Sequence, residues 1–397
     1  MSEWTTIRLG SVVRTNTTSY SPKEGWKYVN YLDTGNITEN VIDAIQHIDL
    51  ENEKLPSRAK RKAQMNSILY STVRPNQKHF GIIKSMPKNF LVSTGFAVID
   101  VIPEKADADY LYFWLTQNTV VEQLHAIAEQ SVSAYPSIKA SDIENLKIAL
   151  PPLTVQKSIA SILKSISDKM SHNSSINENL EQQAQALYQE LFVDNADPAW
   201  QQGTICDLGA VVGGSTPSKA KAEYYTENGI AWITPKDLSV NKSKFIAHGE
   251  NDITELGLKN SSASIMPEGT VLFSSRAPIG YIAIAAGEVT TNQGFKSVVP
   301  KPEIGTAYVY YFLKNNLPVI EGMASGSTFK EVSGSTMKRV PAFIPDADTL
   351  SRFNGFCAPL FAQQRNLEEQ NCNLAALRDS LLPKLMSGEI DVSEAKI

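Results

Sequence analysis

The chain is short of every group that usually marks catalysis, metal binding or a membrane. Its three cysteines, Cys206, Cys357 and Cys372, are odd in number and lack CxxC spacing. That excludes a disulfide framework and a thiolate zinc site, and it reads as reduced thiols in a cytoplasmic protein. The five histidines, His47, His79, His125, His172 and His248, show neither HxxxH nor HxH spacing, so no metal site is expected. No apolar run approaches a membrane span, and Met1-Ser-Glu-Trp4 lacks the basic-then-apolar pattern of a signal peptide. No serine or cysteine sits in a nucleophile elbow. Gly213-Gly-Ser-Thr-Pro-Ser-Lys219 lacks a second glycine directly before the lysine, and Pro217 interrupts it, so it reads as a turn and not as a phosphate loop. Ala149-Leu-Pro-Pro-Leu153 lacks the Asn that an amino-methyltransferase needs beside such prolines, and Pro345-Asp-Ala-Asp348 lacks the Glu-x-Lys of a nuclease centre. The expectation is a binding protein with no catalytic residue, no metal and no cofactor of its own.

One further absence is local. From Lys54 to Ile99 there is no Asp or Glu, although the chain holds 42 acids against 37 Lys and Arg and carries a formal net charge of -5. The same stretch holds Lys54, Arg58, Lys60, Arg61, Lys62, Arg74, Lys78, Lys84 and Lys88. A basic face on a globally acidic chain is the electrostatic footprint of a nucleic-acid reader.

What the chain does have is a long internal repeat. Tyr110-Leu-Tyr-Phe-Trp-Leu-Thr-Gln-Asn118 returns as Tyr308-Val-Tyr-Tyr-Phe-Leu-Lys-Asn-Asn316. Leu69-Tyr-Ser-Thr-Val-Arg-Pro75 returns loosely as Leu272-Phe-Ser-Ser-Arg-Ala-Pro278, and Ser93-Thr-Gly-Phe96 as Asn292-Gln-Gly-Phe295. Two copies of one long unit suggest internal two-fold symmetry, suited to a target that is itself roughly two-fold, such as a DNA duplex.

Each copy begins with short apolar runs cut by Gly, Pro, Asn and Ser, which predict strands: 26–32, 67–71, 90–92 and 96–102, then 230–233, 270–273, 281–285 and 296–299. One helical stretch follows in each, at 109–129 and 306–322, so the fold class is α+β. Each copy ends in a long helix. After Pro151-Pro152 the apolar series is Ile159, Ile162, Ile166, Met170, Ile176, Leu180, Ala184, Leu187 and Leu191; after Pro345 it is Phe353, Phe356, Leu360, Leu367, Leu374, Leu377, Leu381 and Leu385. A shift of 194 maps Pro151 on Pro345, Leu180 on Leu374 and Leu191 on Leu385 without a gap. About 40 residues at about 1.5 Å each give a rod of about 60 Å. A single apolar stripe on each rod predicts an antiparallel coiled coil, with Asn173, Gln363 or Gln364, and Asn371 at the seam fixing register. Thr154 and Thr349 are the expected N-caps. The boundaries follow: a first globular domain over 1–150, a central helix over 151–194, a second globular domain over 195–344, and a distal helix with tail over 345–397.

Two variable α+β domains alternating with two long helices resemble the specificity subunit of type I restriction-modification systems. Asp142-Ile-Glu-Asn-Leu-Lys-Ile-Ala-Leu-Pro-Pro-Leu-Thr-Val-Gln-Lys157 is similar to that family's segment leading from domain to helix; its second copy at 335–345 is degenerate. Gly213-Gly-Ser-Thr-Pro-Ser218, Trp232-Ile-Thr-Pro-Lys-Asp-Leu238, Ser274-Ser-Arg-Ala-Pro-Ile-Gly280, Thr291-Asn-Gln-Gly-Phe295 and Leu377-Arg-Asp-Ser-Leu-Leu-Pro-Lys-Leu-Met-Ser-Gly388 resemble its recognition domains and exit helix. The resemblance implies two target-recognition domains reading double-stranded DNA in the major groove at two half-sites, with the helices setting the spacer. It implies two copies of a methylation subunit, using S-adenosylmethionine that they bind, and restriction/translocase subunits using ATP and Mg. Competing readings are a methylation-only complex and a coiled-coil scaffold that binds no DNA.

The DNA-binding candidates follow from donor chemistry. Arg58, Lys60, Arg61 and Lys62 suit phosphates. Arg74, Lys78 and His79 lie in the loop aligned with Arg276 and suit base or phosphate contact. Thr216, Lys219, Lys236, Arg276, Asn292, Gln293 and Lys296 are the candidates of the second domain, with Asn and Gln suited to adenine and Arg to guanine. Ser131 and Ser133, with Ser325 and Ser327, mark repeated Ser-x-Ser loops expected to position backbone. Trp26, Trp114 and Trp232 are expected in the core.

Overall fold

The computed structural model describes residues 4–131, 135–326 and 330–392. It divides into two compact units, Met1–Lys169 with Asn373–Ile397, and Met170–Cys372. Each long helix is shared between them.

In the first unit two four-stranded sheets carry the core. One has the order Gln46–Asp49, Tyr28–Leu32, Phe90–Ser93, Ala59–Arg61; the other runs Val13–Thr15, Phe96–Val101, Ile68–Ser71, Phe80–Ile82. Among the described residues of this unit the one parallel pairing is Phe90–Ser93 with Tyr28–Leu32. The central strands Ile68–Ser71 and Phe90–Ser93 are buried at every position, which explains their continuous apolar sequence.

The second unit repeats this ladder. Its sheets run Gly209–Gly213, Lys296–Pro300, Val271–Ser275, Ile279–Ala285, Phe245–Ile246, and Tyr225–Thr226, Asn251–Ile253, Ile230–Ile233, Thr290–Thr291. Again the strand before the Gly-Phe turn, Thr290–Thr291, runs parallel to its neighbour Ile230–Ile233. A small antiparallel pair closes each unit: Thr5–Arg8 with Lys147–Leu150, and Gln201–Thr204 with Pro341–Ile344. The eight expected strands are present with shifted ends.

The expected helical stretches each break in two. Ala108–Leu115 ends at Thr116 and Asn118–Glu129 follows; Thr306–Asn315 ends at Asn316 and Leu317–Gly322 follows, with Pro318 in its first turn. The breaks let both halves bury apolar faces in the core clusters.

The long helices are Leu153–Gln189 and Ala347–Ser387. Their first residues are 347 − 153 = 194 apart, matching the gap-free shift of the sequence. Thr154 and Thr349 lie inside the first turns, not at the caps. Asp346 caps the second helix, accepting from the Thr349 amide at 2.8 Å and from its hydroxyl at 2.8 Å. Ahead of the first helix, Gln156 donates to the Pro151 carbonyl at 2.8 Å and accepts from the Asp107 amide at 2.9 Å. The Pro152 carbonyl already accepts the Gln156 backbone amide at 3.0 Å, and the buried Gln156 side chain supplies the donor for Pro151.

In the first unit Val155, Ile159, Ala160 and Leu163 of one helix share a core cluster with Leu385 and Met386 of the other. In the second unit Ala184 and Tyr188 share one with Phe353 and Cys357. There Asn173 donates to Asn371 at 2.9 Å, and the Asn177 backbone carbonyl accepts from the Gln364 amide at 3.1 Å. Partner numbers fall as helix numbers rise, so the pairing is antiparallel. Asn173, Gln364 and Asn371 are the expected seam amides. Ile176, Phe356 and Leu377 are instead exposed, at 44%, 40% and 46%; next to the first two, Asn177 reaches Gln364 and Cys357 is buried. The cysteines carry no disulfide, and burial pushes the Cys357 thiol up to about 12.

The strongest polar contact of the second unit joins its globular part to both helix segments. Lys244 is 7% exposed. Its ammonium pairs with Glu181, donates to Gln364 Oε1 at 2.7 Å and lies over the Phe361 ring at 4.1 Å. Glu181 also takes Lys314 at 2.6 Å and the Tyr311 hydroxyl at 2.9 Å. Glu368 accepts the amides of Lys244 and Phe245 at 2.8 and 3.1 Å. Burial alone raises the Glu181 carboxyl, but Lys244 and Lys314 outweigh it and hold it at about 2. Burial pushes the Lys244 ammonium down and Glu181 opposes that shift. Lys244→Ala leaves buried Gln364 without its cation and half-buried Glu181 with Lys314 alone, and should cost roughly 3 kcal/mol in denaturant unfolding of the full chain. The Glu181 contribution is complete above its ordinary 4.5 and is lost as pH falls toward 2. Glu181→Gln should therefore be less stable at neutral pH, with the gap to wild type closing across that acid window.

Candidate functional site

Six of the seven candidates of the second unit come together. Thr216, Lys219, Lys236, Arg276, Asn292 and Gln293 line one open cavity of about 500 Å³, with Trp232, Thr234, Glu250 and Asn251 among its other walls. The seventh, Lys296, lies beside it and donates to the Gln293 carbonyl at 3.3 Å.

Local chemistry builds this ledge. At the end of the Val271–Ser275 strand, Ser275 donates its amide and its hydroxyl to the Gly294 carbonyl, at 2.7 and 3.1 Å. Asn292 Oδ1 accepts the Gly294 amide at 2.8 Å, closing an Asx turn. Ser215 reaches the Thr291 carbonyl at 2.8 Å, and Thr216 donates its hydroxyl to Gln293 Oε1. Trp232 is buried and donates its indole N–H to Ser215 at 3.0 Å, so it is both core and cavity wall. Thr234 and Asp237 cap the short helix Pro235–Val240, which carries Lys236. Lys236 pairs with Glu250 at 2.6 Å.

Glu331 organises the cations and was not legible as a site residue. Its carboxylate meets Arg276 at 3.5 Å and Lys296 at 3.8 Å. Burial pushes the Lys296 ammonium down, Glu331 counters it, and Arg276 adds to the fall. The only sequence signal for Glu331 is its place just after the second Ser-x-Ser loop.

The first unit holds the same turn with other residues. Thr72 donates its amide and hydroxyl to the Gly95 carbonyl, both at 2.8 Å, and Ser93 Oγ accepts the Gly95 amide at 3.3 Å. Ile138 donates to the Thr72 carbonyl as Val332 does to that of Ser275, at 2.8 and 3.0 Å. The loop that follows carries Arg74 and Lys78 at φ of +47° and +56°, a conformation that non-glycine residues hold at a cost of about 1–3 kcal/mol each. Arg74 lies over the Tyr135 ring at 5.1 Å. Lys78 pairs with Glu39 at 2.9 Å. His79 Nδ1 donates to the Ile37 carbonyl at 2.7 Å, which directs Nε2 away from that bond.

Arg58, Lys60, Arg61 and Lys62 lie on and around the edge strand Ala59–Arg61, not in a plain loop. That strand is wedged between Phe90–Ser93 and Ser19, which bridges Arg61. Arg58 and Lys60 are exposed. Arg61 is half-buried; burial pushes its guanidinium down, and Nη1 meets no hydrogen-bond partner among the described residues. Lys62 is committed to Glu24 and to the Trp26 ring at 5.0 Å, so Trp26 is only half-buried. The acid-free stretch is thus partly neutralised by carboxylates from elsewhere: Lys62 by Glu24, Lys78 by Glu39 and Lys84 by Asp109. Among the described residues the other six cations of the stretch are in no ion pair, and of the candidates Arg58, Lys60 and Arg74 are the exposed ones left to attract a polyanion. Trp114 packs against the core as expected. Ser133 and Ser327 lie outside the described residues. Ser131 accepts the Ser137 amide at 3.3 Å, and Ser325 bridges Glu331, so both hold backbone. No group of three or more His, Cys, Asp or Glu is placed to hold a metal, and no helix is long and apolar enough to cross a membrane, among the described residues.

Known proteins share this layout. The family described as Type I restriction modification DNA specificity domain matches residues 1–182 and 198–367. The HindI type I restriction enzyme specificity subunit of Haemophilus influenzae is 24% identical over 467 residues, spanning 98% of this chain and all of that one. The MjaIX specificity subunit of Methanocaldococcus jannaschii is 42% identical over 163 residues, 41% of this chain and 38% of that one. The crystal structure of a type I restriction-modification S subunit from M. genitalium shares the fold at a TM-score of 0.58 and 16% identity, covering 97% of this chain and 96% of that one.

The glycine pair Gly213-Gly214 gives a test of the ledge. A Cβ on Gly214 falls 2.0 Å from the Asn292 carbonyl and 2.4 Å from that of Thr291, whereas one on Gly213 finds its nearest neighbour at 4.0 Å. Gly214→Ala should lose about 1–3 kcal/mol of stability, while Gly213→Ala stays close to wild type in the same thermal or denaturant melt.

Proposed function

We propose, for a chain that belongs to the type I restriction-modification DNA specificity family, that its two units are separate readers of a bipartite DNA site. The observation that carries this reading is the repeated strand-end turn. Thr72 on Gly95 and Ser275 on Gly294 build one backbone ledge twice, and each ledge presents a different set of donors. A shared scaffold with different side chains suits two half-sites of different sequence. The long helices, starting 194 residues apart, set a constant unread spacer between the half-sites.

The chain itself performs no chemistry in this reading. Two copies of a methylation subunit dock on it and modify one adenine in each half-site with the S-adenosylmethionine that they bind. Restriction/translocase subunits, with ATP and Mg, complete the assembly, and the complex acts in the cytoplasm on cellular and incoming DNA. In the first unit Arg58, Lys60 and Arg74 supply phosphate contacts; in the second, the cavity residues face the groove.

Mapping methylated adenines in DNA from cells carrying this subunit with its methylation partner tests the reading. Two half-sites at one constant spacing are expected, and a continuous palindrome would sink it. Exchanging residues 1–150 for another such domain should change one half-site only. Duplex binding by the assembled complex should weaken steeply with salt, because phosphate contacts release counterions.

A further inference from the structure

We infer that Arg276 reads a guanine in the half-site of the second unit, and that Glu331 is its positioning residue. The inference rests on the DNA-reading function proposed above and assigns the base class and the group that sees it.

The ledge is biased toward hydrogen-bond donors. Asn292 Oδ1 is engaged by the Gly294 amide at 2.8 Å, and Gln293 Oε1 by the Thr216 hydroxyl. Both side chains line the cavity with an oxygen that already accepts a hydrogen bond. Adenine recognition by Asn or Gln needs an amide oxygen and an amide nitrogen presented side by side. Here the Asn292 oxygen already accepts from the turn and the Gln293 oxygen from Thr216, so an adenine N6 donor would have to share an occupied acceptor. Guanine offers two adjacent acceptors, N7 and O6, and its usual partner is a guanidinium held in plane.

Arg276 meets that requirement. It leaves the strand Val271–Ser275, lines the cavity and is 37% exposed, so its fork reaches solvent. One side of the fork is braced by Glu331 at 3.5 Å. Glu331 is itself fixed on three sides. Its backbone exchanges two hydrogen bonds with Ser325, at 3.1 and 2.9 Å; the next residue, Val332, donates to Ser275 at 3.0 Å; and its second carboxylate oxygen faces Lys296 at 3.8 Å. Lys296 is 15% exposed and lies beneath the ledge, which makes it a brace for Glu331 and not a groove contact. A carboxylate behind an arginine restricts its rotamers and leaves its remaining N–H pair for one planar acceptor edge. A phosphate contact needs no such bracing. The first unit has Val73 next to Thr72 where the second has Arg276 next to Ser275, so this reader belongs to one half-site alone.

The test uses the complete complex of this chain with its methylation subunit and a duplex library randomised across both half-sites. Wild type should select guanine at one position of the second half-site. Arg276→Ala should cut that preference by roughly 10- to 100-fold at that position only. Glu331→Gln, which keeps the shape, should relax the same position in part and leave the other half-site and the spacer unchanged. Arg276→Lys should keep part of the guanine preference, since an ammonium can still reach N7 and O6 but without the planar fork. If the Arg276 variants weaken all sequences equally and lower the salt slope by about one, Arg276 contacts phosphate and the inference fails. A second half-site without guanine also overturns it. A wild-type complex that binds no duplex at low salt would instead overturn the DNA reading itself, which keeps the two failures apart.

Discussion

Gln364 sits 3% exposed in the seam between two helices, and both ends of its amide are committed. Its nitrogen donates to the Asn177 carbonyl across the seam; its oxygen accepts from Lys244 of the globular part. A one-turn slip of either helix would replace Gln364 by Leu360 or Leu367 or Phe361 or Glu368, and Lys244 would lose its neutral acceptor. Buried amides cost stability relative to leucine, but they make one register much better than its neighbours. Asn173 with Asn371 repeats the device farther along. Since each unit is assembled on a piece of both helices, the register decides what each globular part can pack against.

The two units solve the same packing problem with different chemistry. In the first, the helices contribute Ile159, Leu163, Leu385 and Met386 to an apolar cluster. In the second, Tyr188, Phe353 and Cys357 do so, and the Lys244–Glu181 pair is added at the margin. The gap-free correspondence of 194 residues places Ala375 opposite Glu181, so the ion pair is not part of the repeat. It lies between aromatic rings, where a poorly solvated guest cation gains from ring faces as well as from its carboxylate.

Much of the fold was legible because it depends on pattern. Continuous apolar runs marked the central strands, and the 194-residue shift marked both helix starts. What failed depends on single residues. Thr349 has cap chemistry, but Asp346, three residues earlier and just ahead of the helix, is the residue that reaches an orphan amide. Ile176, Phe356 and Leu377 keep a three-or-four spacing yet are exposed; next to Ile176 the polar Asn177 takes the cross-seam contact, with Gln364. The candidate site was half legible. Loops that repeat after equivalent strands gave Arg276, Asn292 and Gln293, and six candidates share one cavity. Glu331 was hard to see, since an acid 55 residues downstream of Arg276 is marked only by its place after the second Ser-x-Ser loop. The neutralisation of Lys62 and Lys78 was equally hidden, because Glu24 and Glu39 lie outside the acid-free stretch.

The strand Ala59–Arg61 fills a slot beside Phe90–Ser93 that Ser215 reaches across directly in the second unit. That slot is lined by main-chain groups, so it demands an extended segment and, of its side chains, only a small one at Ala59, which enters the core. A cassette of basic residues has entered one unit there without disturbing the ladder around it. The same opening makes the edge an evolutionary socket: a loop long enough to supply one short strand can install a new chemical surface while every core residue stays as it was.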